Sequence, residues 1–262
     1  MSMPKPDHTF AILAYKESKY LEQCIQSVLN QTVSSKVLIA TSTPNAHIQS
    51  LAEKYKIPVH INPNGGSIGK DWNFGFHCAD TTCVTITHQD DIYLSTFAED
   101  TLNAIRVHAE AKPLMVFNKS IVYKGDHEMG FSFKNVIRWL LIFPFHFKRC
   151  ISSIAVKKSI LYFSNSISCP GVCYVKDNLA GFSFNEEEKY ILDWRAWYDM
   201  AIRKGAFIYL DKVLHIHREH EESATSSTHL QVLQKEEQAL LTEIWGNTFM
   251  PKIITRLLTL AK

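Results

Sequence analysis

The stretch Cys83-Val84-Thr85-Ile86-Thr87-His88-Gln89-Asp90-Asp91 decides how the rest of the chain is read. Cys83 to Thr87 is short, apolar and β-branched, which suits a buried strand, and it runs into two adjacent carboxylates. The same strand-then-loop unit recurs upstream. Thr9 to Ala14 is an apolar run, and Ser18 is positioned to cap a helix carrying Leu21, Ile25, Val28 and Leu29 on one face. Val37 to Thr41 predicts a second strand, Ala46 to Tyr55 a helix and Pro58 to Ile61 a third strand. The glycine-rich turn Asn64 to Gly69 then leads to a helix around Trp72 to Ala79. Alternating strands and helices predict an α/β fold with a mostly parallel sheet covered on both faces. In such sheets ligands bind at the carboxyl ends of the strands. Asp90-Asp91, Tyr15-Lys16-Glu17 and Thr41-Ser42 all fall at such ends.

Two neighbouring carboxylates repel, and a divalent cation removes that cost. Mg²⁺ or Mn²⁺ binds through one or two carboxylates together with substrate phosphates, so a nucleotide diphosphate would complete such a site. A solvated turn is the plainer explanation of Asp-Asp after a strand. About 75 residues separate the first strand end from Asp90, enough for three strand-helix units of a nucleotide-binding half. Gly65-Gly66-x-x-Gly69 does not fit G-x-G-x-x-G, and neither a G-x4-G-K-[ST] loop nor a G-x-S-x-G elbow occurs. Dinucleotide oxidoreductases, P-loop NTPases and serine hydrolases therefore lose support.

Composition sets wider bounds. The 262 residues, 46% hydrophobic, can fill one large domain, and a net charge of +2 gives no argument for a nucleic-acid partner. None of the six cysteines forms a C-x2-C pair, which points to reduced thiols in a cytoplasmic protein. The N-terminus shows no apolar signal-peptide core. The longest apolar stretch, Val136 to Phe147, is interrupted by Arg138, Pro144 and His146 and falls short of the ~20 residues a spanning helix needs.

Four segments, in order, resemble family-2 glycosyltransferases. Phe10-Ala11-Ile12-Leu13-Ala14-Tyr15-Lys16-Glu17, followed by Ser27-Val28-Leu29-x-Gln31-Thr32, is similar to the family's opening strand, loop and helix. His88-Gln89-Asp90-Asp91-Ile92-Tyr93 resembles its DxD-type metal site. Asp193-Trp194-Arg195-Ala196-Trp197-Tyr198, with Gly205-Ala206-Phe207 behind it, resembles the helix that supplies the catalytic base. Leu214 to Thr225 resembles the family's "Y-R-x-H-x-x-S-x-S" segment.

The resemblance implies a GT-A fold, Rossmann-like, with a helical C-terminal appendage. It implies a nucleotide-diphosphate sugar donor, UDP-linked by preference, a Mn²⁺ or Mg²⁺ ion and inversion at the anomeric carbon. Ala14, Tyr15 and Glu17 would then line the base and ribose, with Asp90 near ribose and metal. Asp91 would be the direct metal ligand, His220 a second candidate at the metal or diphosphate, and Asp193 the general base. Departures are equally specific. Thr41-Ser42 stand where relatives carry an acidic pair for the uracil edge, so hydroxyls would read the base. Trp72 replaces the arginine before Asn73, leaving Lys70 to supply charge to the diphosphate, and Leu192 replaces a glutamate before Asp193.

Each assignment has a plainer counterpart. Asp193-Trp194 also reads as an N-cap and a core residue. His88 reads as a satisfied strand residue, while His215 and His217 alternate on one strand face. The second half is less regular: a strand over Leu114 to Tyr123, a helix over Ile154 to Phe163, a strand over Val172 to Val175 and a helix over Asp193 to Arg203. Two strands, Phe207 to Leu210 and Val213 to His217, follow, then a helical tail from Leu230 to Lys262 broken at Gly246 and Pro251. The expected organisation is a catalytic domain over 1–228, with a nucleotide half of about 1–112 and an acceptor half of about 113–228, and a helical segment over 229–262. Phe131 to Phe147, with Lys134, Arg138, Lys148 and Arg149, reads either as core or as an element at a lipid surface; Met250 to Leu258 repeats that choice. The expected activity is sugar transfer to a glycan or lipid-linked acceptor of the bacterial envelope, by a cytoplasmic enzyme that touches the membrane peripherally only if those segments face lipid and not the core. Its rivals are a sugar-phosphate nucleotidyltransferase and a non-catalytic module of the same fold.

Overall fold

Strand β1 (His8–Ala14) sits between β2 (Lys36–Thr41) and β4 (Cys83–His88) in the sheet and is buried on both faces. Its alternate residues belong to different cores. Phe10, Ile12 and Ala14 pack in the cluster that contains helix α1 (Leu21–Leu29), whereas Ala11 packs on the opposite side of the sheet. The period of two along a strand makes this division. Next come β2 (Lys36–Thr41), α2 (Ala46–Tyr55), β3 (Val59–Ile61), α3 (Ile68–Cys78) and β4 (Cys83–His88). β5 (Ile92–Tyr93), α4 (Phe97–Val107), β6 (Pro113–Lys124), β7 (His127–Glu128), α5 (Phe133–Leu141) and α6 (Phe143–Phe147) follow. The chain continues through β8 (Cys150–Ile151), α7 (Ile154–Ser159), β9 (Cys173–Val175), α8 (Leu192–Ala201) and β10 (Ala206–Glu219) to α9 (Leu230–Trp245) and α10 (Met250–Leu260). This computed structural model describes residues 7–124, 127–130, 133–220 and 230–260. The Glu221 to Thr225 end of the fourth motif, Phe131 and Lys262 lie outside the described residues.

The sheet order is β3-β2-β1-β4-β9-β6-β10-β5, with β7 on β6 and β8 on β10. β1, β2, β3 and β4 are parallel, as are β6 and β10; β9 runs antiparallel between β4 and β6. The fold is mixed α/β with a mostly parallel central sheet flanked by helices, as read from the sequence. The register Leu13↔His88 brings the ends of β1 and β4 side by side. The loops carrying Tyr15 and Asp90-Asp91 therefore leave the same edge.

Local differences from the sequence reading have physical causes. Ser18 does not cap α1; Tyr20 holds the cap position without a side-chain bond, and the Ser18 carbonyl accepts from the Leu21 N–H. α3 starts at Ile68, earlier than Trp72, because the Ser67 hydroxyl accepts from the Lys70 N–H. The helix expected over Ile154 to Phe163 ends at Ser159. Pro251 does not break the tail: it is the second residue of α10, where a missing N–H needs no partner. Gly246, at φ +68°, follows the last residue of α9. Two short strands expected around Asp211-Lys212 are one strand, β10, whose pairing with β6 shifts register between Leu210 and Val213.

Candidate active site

Asp91 ends the short loop between β4 and β5 and is fully buried. Its Oδ1 lies 3.0 Å from His217 Nδ1 and accepts from the Arg218 N–H at 3.0 Å. Its Oδ2 is buried and has no hydrogen-bond partner among the described residues. A buried carboxylate oxygen without a donor is costly in a folded protein unless a cation meets it. Burial pushes the Asp91 carboxyl up, but the charge and hydrogen bond of His217, the charge of His88 and the Arg218 N–H together hold it below its ordinary value. Burial pushes His217 down in turn, and Asp91 and Asp90 outweigh that and raise it. The other carboxylate, Asp90, is partly exposed, with its Oδ2 2.9 Å from His220 Nε2. Arg218 is buried behind the pair. Its guanidinium donates to the Asp90 carbonyl oxygen and to Gln23, and lies 4.2 Å from the Tyr20 ring centroid. Ligand atoms of His88, Asp90 and Asp91 lie within 4.8 Å of one another. These residues fit a divalent cation.

The β1 and β2 loops are tied to that edge. Gln89 brackets Tyr15, accepting from its N–H and donating to its carbonyl, both at 3.0 Å. Lys16 has φ +55°, unusual for a residue with a side chain, and its N–H donates to the Thr43 hydroxyl at 2.6 Å. Tyr15 and Glu17 are exposed beside this turn, whereas Ala14 is buried. Thr41 is buried, and its hydroxyl accepts from the Thr43 N–H. The Ser42 hydroxyl donates to Asp71 Oδ2 at 2.8 Å, and the Asn62 amide donates to Asp71 Oδ1 at 2.8 Å. A carboxylate therefore stands behind Ser42, supplied from α3. The backbone at Gly65 approaches so closely that a Cβ there would overlap that of Ser42. Lys70 is exposed on the first turn of α3. Asn73 is engaged elsewhere: its amide donates to the Phe184 carbonyl and Glu186, and its Oδ1 accepts from the Phe184 N–H. It fixes the loop before α8 and offers no free group to a ligand.

Asp193 reaches this neighbourhood from α8. Its Oδ2 accepts from the Asn165 amide at 2.5 Å and its Oδ1 from the Trp194 N–H at 2.7 Å. Burial raises its carboxyl above the ordinary value, against the pull of the Trp194 N–H, the Asn165 amide and the charge of His88. His88 thus acts on both Asp91 and Asp193. Cys169 Sγ, 3.9 Å from His88 Nε2, feels both carboxylates as well. His215 shares the strand but not the cluster, since it is buried between Asn118 and Ser168.

The model of glycosyl transferase family 2 matches residues 9–146. The chain belongs to this family. The match runs from β1 to α6 and takes in Asp90-Asp91, while Asp193 and His220 lie beyond it. No curated protein is a significant match. Among solved structures, residues 1–349 of S. aureus TarS with UDP-GlcNAc align with a TM-score of 0.64 at 18% identity, over 93% of this chain and 73% of that one. A longer TarS chain is 43% covered, with a TM-score of 0.61 at 17% identity. The mannosyltransferase PcManGT from Pyrobaculum calidifontis, with GDP-Man and Mn²⁺, aligns with a TM-score of 0.59 at 14% identity, over 90% of this chain and 62% of that one. At such identities the likeness speaks for a shared fold.

In this glycosyltransferase, sequence reasoning passed over Gln89, Asp71, Asn165, Gln23 and Arg218. Gln89 and Arg218 lie inside the quoted motifs, adjacent to singled-out residues, and were open to notice. Asp71 and Asn165 act across 29 and 28 positions and carry no local signal.

Proposed function

We propose that this glycosyltransferase is an inverting, divalent-metal-dependent hexosyltransferase that moves a sugar from a nucleotide diphosphate to a glycan or lipid-linked acceptor. The observation that carries the proposal is the unpartnered, buried Oδ2 of Asp91 beside Asp90, in one neighbourhood with Asp193. Asp91 and Asp90 would hold Mn²⁺ or Mg²⁺, with His220 at the Asp90 side; the bound ion would supply positive charge against the departing diphosphate. Tyr15, Glu17 and Ser42, with Ala14 and Thr41 shaping the loops, would bind nucleoside and ribose, and Lys70 would face the phosphates. Asp71, behind Ser42, gives the base-binding loop a carboxylate that can accept N–H bonds. Asp193 would take the proton of the acceptor hydroxyl as its oxygen bonds to the anomeric carbon and the bond to the diphosphate oxygen breaks. The raised Asp193 carboxyl suits that work better than an ordinary one does.

Neighbours of the same fold are described with UDP-GlcNAc and with GDP-Man and Mn²⁺, which supports the donor class. A UDP-sugar remains the preferred donor. The proposal keeps the division into a nucleotide half of about 1–112, an acceptor half of about 113–228 and a helical segment over 229–262. It places the enzyme in the cytoplasm, working on bacterial envelope glycans, with peripheral contact at the inner face of the membrane. Among the described residues no helix is long and apolar enough to cross a membrane. Trp139, Leu140, Phe143 and Phe147 are exposed on α5 and α6 beside exposed Arg138 and Lys148, and no Asp or Glu occurs between Glu128 and Asp177. Anionic headgroups with apolar chains below match such a surface.

The test is donor turnover and acceptor transfer across UDP- and GDP-sugars, with and without Mn²⁺. Metal-dependent release of nucleoside diphosphate is expected. Pyrophosphate-forming chemistry would favour the nucleotidyltransferase, and binding without turnover the non-catalytic module.

A further inference from the structure

Among the described residues three imidazoles, His88, His217 and His220, surround the acidic pair, and they are not equivalent. His217 Nδ1 is within hydrogen-bond distance of Asp91 Oδ1, at 3.0 Å, and His220 Nε2 of Asp90 Oδ2, at 2.9 Å. His88, the last residue of β4, instead faces the other oxygen of Asp91. Its Nδ1 stands 3.7 Å from Oδ2, beyond a hydrogen bond, and Oδ2 is the buried atom with no partner. Two donors on one ion with bonds of about 2.1 Å sit roughly 3–4 Å apart. The His88 ring is held from its far side: Nε2 is 3.9 Å from Cys169 Sγ, and the Trp72 ring lies 5.4 Å away between centroids. That leaves Nδ1 toward the carboxylates, within the group of donor atoms that spans at most 4.8 Å.

We propose that His88 Nδ1 is a direct ligand of the bound cation, together with Asp91 and Asp90, and that this mixed nitrogen–oxygen set makes the site select a transition-metal ion over Mg²⁺. This rests on the metal reading under Proposed function. Mg²⁺ keeps oxygen ligands and water, whereas imidazole suits first-row transition ions. His88 sets a nitrogen donor at the strand end beside two carboxylates, and the preference follows from that donor.

The experiment titrates the protein with Mn²⁺, in the absence and presence of UDP, and follows free Mn²⁺ by electron paramagnetic resonance with Mg²⁺ as competitor. Pulsed measurements on the bound ion report directly coordinated nitrogen. Wild type is expected to bind Mn²⁺ with nitrogen coupling and to prefer it to Mg²⁺ by at least about tenfold. His88→Ala should lose about tenfold or more in Mn²⁺ affinity. His88→Asp should restore binding through oxygen, abolish the nitrogen coupling and narrow the Mn²⁺/Mg²⁺ preference. His220→Gln should leave the coupling in place, and circular dichroism checks that each variant is folded. Coupling that persists in His88→Asp, or disappears in His220→Gln, overturns the role of His88 and leaves the metal site standing. Failure of wild type to bind Mn²⁺ even with UDP overturns the metal reading itself.

Discussion

His217 and Asp91 meet across 126 positions of sequence, Nδ1 to Oδ1 at 3.0 Å, and the next residue along β10 gives its backbone N–H to the same oxygen. One oxygen of Asp91 is thereby fixed by protein and the other is left bare. Asp91→Asn is expected to abolish Mn²⁺ binding while keeping the shape of the side chain. Asp91→Ala should in addition remove the acceptor for His217 and Arg218 and lower stability by roughly 1–3 kcal/mol. Mn²⁺ titration and urea denaturation of the two variants separate the effects; an Asp91→Asn protein that binds Mn²⁺ like wild type refutes the assignment.

Under the proposed function, Asp71 is expected to bear on nucleobase binding. Its carboxylate accepts from Ser42 and Asn62 at the end of the second and third strands. Asp71→Ala is expected to raise the donor KM about tenfold and to blur discrimination between UDP- and GDP-sugars, with little change in kcat, because uniform binding is what it removes. Steady-state kinetics with both donors checks this. An unchanged KM and preference would return Asp71 to a purely structural role.

The N-terminal part of the sheet was legible because period-two burial along strands and the apolar face of a helix are local signals, whereas the cap at Ser18 was not. Cys83 to Asp91 announced both a strand and what it ended in. The site was legible only in part, because its contacts join loops far apart in sequence. Nothing around Asp71 marks it as the partner of Ser42, nor Asn165 as the partner of Asp193. Asp211-Lys212 misled for a different reason: two charges between apolar runs look like a turn. In the fold Asp211 pairs with Lys119 and Arg149 and Lys212 with Asp100, so the charges sit on a strand that never stops. The exposed aromatics of α5 and α6 were equally beyond sequence, since apolar residues at helical spacing read the same in a core as on a lipid surface.

Those aromatics carry a prediction of their own. The enzyme is expected to co-sediment with phosphatidylglycerol vesicles and not with phosphatidylcholine vesicles, and less so at high salt. Phe147 is 78% exposed, so a Phe143→Ser, Phe147→Ser double variant should keep its melting temperature and lose vesicle binding. Retained binding by that variant, or equal binding to neutral vesicles, would exclude α5 and α6 as the contact.

Stability should fall in acid through His8. The imidazole is buried, with its two nitrogens facing the Ser35 and Thr85 hydroxyls at 3.0 and 2.9 Å, and burial lowers its pKa to about 3. The unfolded chain protonates near 6.5, so between about pH 6.5 and 3 it binds the extra proton and is favoured as pH falls. The expected slope is up to ~1.4 kcal/mol per pH unit from this group. Urea denaturation at pH 7 and pH 5 should show a smaller difference for His8→Gln than for wild type.

Asp193 decides whether the chemistry is general-base transfer. Its carboxyl is held by the Asn165 amide and the Trp194 N–H, and burial nevertheless raises it above the ordinary carboxylate value. A base works deprotonated, so activity should be full above that raised pKa and fall as pH drops through it. The acid limb of kcat/KM is then expected above the range of an unperturbed aspartate. Asp193→Asn keeps the size of the side chain and one of its two acceptor oxygens but cannot take a proton; transfer should drop about 10²–10⁴-fold with UDP and Mn²⁺ affinity unchanged. Asn165→Ala removes a donor that favours the charged form, so the acid limb should move to higher pH while kcat at alkaline pH is largely kept. A merely structural Asp193 would leave the limb in place and lower stability instead. Full transfer by a folded Asp193→Asn enzyme, measured at pH 8 to remove the titration, would take the proton-accepting role away from this residue.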